Sequence, residues 1–209
     1  MRALYLAGLG YIAVCILVLL RPANTIVEPV YVAPIPPPRH APEPVPAASS
    51  GAEWFMRMKP FCNTLEVETR HTYTPPPGTS DGAAYSAACF ALAGKIDRAR
   101  AIILGLAEND RPAAASVVFQ VGHPVADAGD DASAGPIMRL VVEFTPENYM
   151  ALYHAGMSEK MLGEDDLARR HLTMFLQAYS YQDGWRSGAI AALRELGVDV
   201  EDAAEGGAR

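Results

Sequence analysis

Residues 82–106 read GAAYSAACFALAGKIDRARAIILGL, residues 117–146 read VVFQVGHPVADAGDDASAGPIMRLVVEFTP, and residues 149–179 read YMALYHAGMSEKMLGEDDLARRHLTMFLQAY. One pattern runs through all three. A helical run ends at a glycine (Gly94, Gly129, Gly163), and an alanine follows five residues later (Ala99, Ala134, Ala168). The glycines stand 35 and 34 residues apart. Glycine takes the left-handed conformation that closes a helix without a Cβ clash. Asp97, Asp131 or Ser133, and Asp165 or Asp166 then stand where the next helix needs a cap. Seven residues before each glycine lies another small residue: Ala87, Gly122 or Gly156. Small residues at both points predict two helices that approach closely and pack as a pair. Beyond each alanine, Ile103 and Leu106, Met138 and Val141, and Leu172 and Phe175 recur at a spacing that places them on one helix face. Pro112 and Pro146 are expected where the first two units stop, and Pro124 falls inside a predicted helix, where it should kink it.

The period and the small-residue placement resemble tetratricopeptide (TPR) repeats, about three degenerate copies from Ser80 to Tyr179. The early Trp of that family is replaced by Ala83, Val118 and Leu152, and its Tyr before the turn by Phe90, Val125 and Glu159. The resemblance implies an all-α fold, a TPR-like array of helical pairs or α-solenoid. Its units must stack, and its ends need capping helices. The segment from Trp54 to Val67, one amphipathic helix or two broken at Pro60, fits the N-terminal cap. Gly184 to Leu196 fits the C-terminal one.

Working outward, an uncharged run from Ala3 to Leu20 lies between Arg2 and Arg21. Eighteen helical residues rise about 27 Å, near the thickness of a bilayer core. A cleaved signal peptide needs small residues before a cleavage point, and Arg21-Pro22-Ala23-Asn24 offers no such pair. Residues 1–21 are therefore expected to be a single-pass transmembrane anchor, with the N-terminus inside and the domain outside the cytoplasm. Residues 22–51 hold nine of the seventeen prolines, so they cannot form a helix or a central strand and should act as an extended spacer. Residues 52–197 make the helical domain. Residues 198–209 read as a disordered acidic tail.

The formal net charge is −7, and residues 1–50 contribute three arginines against two glutamates, so the domain is the acidic part. An acidic domain repels phosphate backbones, which argues against nucleic acid as a partner. No nucleophile motif, phosphate-cradling glycine loop or zinc-type cysteine pattern occurs, so neither an enzyme nor a cofactor is expected. Cys62 and Cys89 read either as a disulfide, suited to an oxidising compartment, or as two separate buried thiols.

The TPR resemblance implies a groove lined by the first helices. Its partner-binding residues would be Phe119, His123, Asp127, Met150, Tyr153, Met157, Lys160 and Met161, with Asp81, Ala84, Ala88, Leu92 and Ser116 at the matching positions of the first two units. Met and aromatic side chains suit recognition of a peptide or helix. The function expected is thus a membrane-anchored protein-binding scaffold. One alternative is a metal-binding or hydrolytic domain centred on His123 and Asp127, which are four residues apart and share a helix face. Asp130 and Asp131 read there as capping carboxylates, and His154 and His171 add no ligand spacing. The other alternative is a self-associating structural component of the envelope.

Overall fold

The computed structural model describes residues 48–200. The expected anchor, nearly all of the expected spacer and the expected tail beyond Val200 lie outside them. Within residues 48–200 no helix is long and apolar enough to cross a membrane. These residues form nine α-helices and no strand. In chain order they are α1 (Gly51–Met58), α2 (Val67–Tyr73), α3 (Ser80–Leu92), α4 (Ile96–Leu104), α5 (Arg111–Asp127), α6 (Asp131–Phe144), α7 (Tyr149–Leu162), α8 (Asp165–Ala178) and α9 (Gly184–Glu195).

The turns set the architecture. Gly94, Gly129 and Gly163 all have positive φ, at 72°, 82° and 75°. After each glycine, the next residue's N–H reaches back five positions, Lys95 to Phe90, Asp130 to Val125 and Glu164 to Glu159. That bond satisfies a carbonyl the helix leaves open. Two or three residues then separate one helix from the next, so α3 folds back on α4, α5 on α6 and α7 on α8. Successive hairpins pack through α3 with α5 and through α6 with α7.

A fourth turn repeats this geometry. Gly197 has φ 77° and stands 34 residues after Gly163, and the N–H of Val198 bonds the carbonyl of Leu193. So α9, expected only as a cap, ends as the first helix of each hairpin does. The repeat hid in the sequence because Ile190 and Asp202 occupy the positions where the other units carry small residues.

Small residues mark the close approaches. A Cβ on Gly122 would lie 2.7 Å from Ile137, and one on Gly156 would lie 2.7 Å from Leu172. Ala87, Ala99, Ala134 and Ala168 are fully buried. Ile103, Met138, Val141, Leu172 and Phe175 are fully buried as well. Each such side chain contributes about 1.5–3 kcal/mol.

Local details depart from the sequence reading. Asp130, not Asp131 or Ser133, caps α6, accepting the N–H of Ser133. Asp97, Asp165 and Asp166 lie in first turns, where a negative charge favours the helix dipole. Pro112 opens α5 rather than closing a unit, because a first-turn proline forfeits no helix bond. The leading segment forms two helices, with the break at a 3-10 turn spanning Lys59–Phe61. Cys62 and Cys89 form a disulfide that ties this segment to α3.

Candidate functional site

The expected groove residues do not form one continuous open surface. On α3, Ala84 and Ala88 are buried, and Asp81 accepts the backbone N–H of Gly51 from α1. On α7, three groove positions meet α9. The Tyr153 ring packs edge-on against Trp185, with centroids 5.0 Å apart. Met157 packs partly buried in the apolar cluster that α8 and α9 share. Lys160 pairs with Glu195. Met161 remains exposed, and Met150 is half-buried. Docking of α9 thus covers much of the third unit's expected face.

Convergence occurs instead around α5. Phe119 stacks on His123 with ring centroids 4.7 Å apart. His123 meets His154 of α7 edge-on at 5.1 Å. His154 in turn lies against Tyr153 and, at 5.5 Å, against Trp185. This line of rings crosses α5, α7 and α9. The i,i+4 spacing on α5 puts Asp127 beside His123, with Nε2 to Oδ1 at 3.5 Å. The same Oδ1 lies 3.8 Å from Nε2 of His154. On the far side of that imidazole, Nδ1 is 3.6 Å from Asp131 at the start of α6.

None of these separations makes a hydrogen bond. Among the described residues, Nε2 of His123 and both ring nitrogens of His154 are buried without a hydrogen-bond partner. His154 is 2% exposed. Each such group costs about 1–3 kcal/mol when left unmatched. Burial, followed by the charge of His123, holds the His154 imidazole below its ordinary pKa, while Asp131 and Asp127 oppose that shift. Neutral imidazole is the form that coordinates a metal or accepts a hydrogen bond.

A second polar cluster sits one turn further along α7. Glu159 is fully buried, and Nδ1–H of His171 on α8 donates to it at 2.7 Å. Arg139 of α6 stands 4.0 Å from its other oxygen and bonds Glu164. This cluster binds α6, α7 and α8 together. A cleft of about 450 Å³ near α3 and α4 is bounded by His71, Ser86, Arg98 and the 76–80 loop. Its His71 and Ser86 already share a hydrogen bond of 2.7 Å.

Sequence reasoning grouped His123 and Asp127 with Asp130 and Asp131, read the last two as helix caps, and missed His154 and Trp185. One signal was available. Counted back from the turn glycines, His123 stands at six and His154 at nine, one helical turn apart on neighbouring first helices. Comparison of the chain with family models, with curated proteins and with solved structures gives no match.

Proposed function

We propose that this chain is a membrane-anchored scaffold of TPR-like helical hairpins, held outside the cytoplasm, that binds a protein partner through the face centred on Phe119, His123 and Asp127. The observation that carries the reading is the ring line crossing α5, α7 and α9. Aromatic and imidazole side chains from α5, α7 and α9 meet around buried His154; Phe119, His123 and Tyr153 are half-buried, Trp185 is 37% exposed, and Met161 further along α7 is exposed. Rigid rings and adaptable methionines are the side chains that anchor partners. The placement outside the cytoplasm is supported by the apolar run 3–20 and by the Cys62–Cys89 bond, since disulfides persist in oxidising compartments.

Site-specific photo-crosslinking in native membranes tests this reading. A crosslinker at position 119 or 161 should give a discrete protein adduct, and one at exposed Leu104 should not. Equal labelling at all three positions, or none at 119 and 161, would refute it. A reporter fused to the C-terminus reads the side of the membrane.

A further inference from the structure

The geometry points to a divalent transition-metal site, with Nε2 of His123, a carboxylate oxygen of Asp127 and Nε2 of His154 as ligands and Asp131 orienting His154. The site does not rest on the scaffold reading.

Three features carry it. First, the three donor atoms lie within 4.8 Å of one another. A tetrahedral zinc ion with bonds of about 2.0–2.1 Å holds its donors about 3.4 Å apart. The two separations to Asp127, 3.5 and 3.8 Å, are close to that edge. Octahedral coordination sets donors nearer, at about 3 Å, so the wider spacing favours zinc over magnesium.

Second, His154 is unpartnered and aimed into the cluster. It is 2% exposed, and Nε2 faces Asp127 and His123 while Nδ1 faces Asp131. A carboxylate behind the non-ligating nitrogen fixes the tautomer that leaves the other lone pair free for a metal. A simple ion pair explains His123 with Asp127. It leaves the second buried imidazole, lying between two carboxylates without a hydrogen bond to either, unexplained.

Third, the donor set and its access suit a bound ion. Two imidazoles and one carboxylate match zinc and its borderline neighbours. Three protein ligands leave one position open for water or for a side chain of another molecule. The side chain of Asp127 is 48% exposed, which gives an entry path, while Phe119, Tyr153 and Trp185 form an apolar surround.

The test is Zn2+ titration of the full chain in detergent micelles, followed by Co2+ substitution and visible spectroscopy. The expected result is one Zn2+ per chain, and a Co2+ absorption band of tetrahedral intensity that Zn2+ abolishes. His123→Gln and Asp127→Asn change partly exposed side chains, so both should keep wild-type helix content by circular dichroism and lose the ion. Asp131→Asn, which touches the site only through His154, should keep the ion, weaken it by about 10–100-fold and shift the Co2+ band. Absence of a stoichiometric ion in the wild-type chain overturns the site. So does binding that survives both His123→Gln and Asp127→Asn, which places the ion elsewhere. Unchanged affinity and spectrum in Asp131→Asn removes that residue's orienting role.

Discussion

The α1–α4 end and the α7–α9 end are built from the same helical pairing, each around apolar side chains, but the first is stapled covalently and the second buries charged and polar groups. At the first end, Trp54, Phe55, Met58, Val67 and Phe90 make an apolar core, and the Cys62–Cys89 bond links it covalently. Its buried polar groups are matched. The indole N–H of Trp54 donates to the carbonyl of Thr74, and Ser86 bonds His71. At the second end the interior holds Glu159, His154 and Ser158. There the helices are joined by Glu159 with His171, by Arg169 donating to the carbonyl of Leu196, and by Arg186 donating to the carbonyls of Leu176 and Tyr179. The contrast teaches where chemistry can reside. A stapled apolar end is fixed and chemically quiet. An end with a buried imidazole and a buried carboxylate loses some stability but keeps groups able to engage a ligand.

The chain has two tryptophans, one at each end, so the contrast can be measured. The largest expected effect comes from removing the staple. The bond spans 27 residues, and such a loop predicts a loss of about 3–4 kcal/mol in Cys62→Ala with Cys89→Ala. In a Trp185→Phe background, Trp54 fluorescence should report a transition at clearly lower denaturant. In a Trp54→Phe background, Trp185 should move less. Equal shifts would mean one cooperative unit and erase the contrast.

Next comes the buried carboxylate. His171→Leu strips Glu159 of its only short hydrogen bond among the described residues and leaves Arg139 at 4.0 Å. Stranding a buried charge in this way costs about 3 kcal/mol, read from Trp185 in urea. Glu159→Met removes the charge itself and should cost much less. If the two substitutions cost the same, the second end is held by packing, with no contribution from the His171–Glu159 pair.

A smaller effect tests what the ends share. Gly163→Ala and Gly197→Ala each place a Cβ at positive φ, with no atom near enough to clash. The strain is therefore purely conformational, about 1–2 kcal/mol per site. Similar losses at both sites would make the last turn structurally equivalent to the earlier ones. A neutral Gly197→Ala would mark it as a frayed terminus.

These sites also show what could be read in advance. Gly94, Gly129 and Gly163 were legible because a turn with positive φ constrains a single residue whatever surrounds it. The buried alanines were legible because two helices cannot approach closely without them. Tyr153, Met157 and Lys160 were misjudged as an open face because their cover, α9, arrives by tertiary docking that no local spacing encodes. His154 was passed over for a related reason. Its ligand-like neighbours belong to α5 and α6, and only packing brings them within 4 Å. Cys62 with Cys89 stayed undecided because two cysteines fit a bond or two thiols equally well until the backbone positions are known.

The smallest effect concerns pH and the apolar end. His71 lies edge-on to Trp54 at 5.7 Å and is flanked by Phe90 and Ser86. Burial, followed by the charge of Arg98, lowers its pKa, and Glu68 opposes this weakly. The unfolded chain therefore takes up the proton more readily than the fold does. Stability is complete above the ordinary histidine value of about 6.5 and falls as the pH drops from there toward the folded value. The group is only half-buried, so solvent screening keeps the loss modest. The urea midpoint read from Trp54 should decline between about pH 7 and pH 5, before most carboxylates titrate. His71→Asn should flatten that slope, and Arg98→Gln should reduce it by removing the nearby charge. An unchanged slope in His71→Asn would mean that even an imidazole packed against this core is energetically silent, which would sharpen the contrast with the second end.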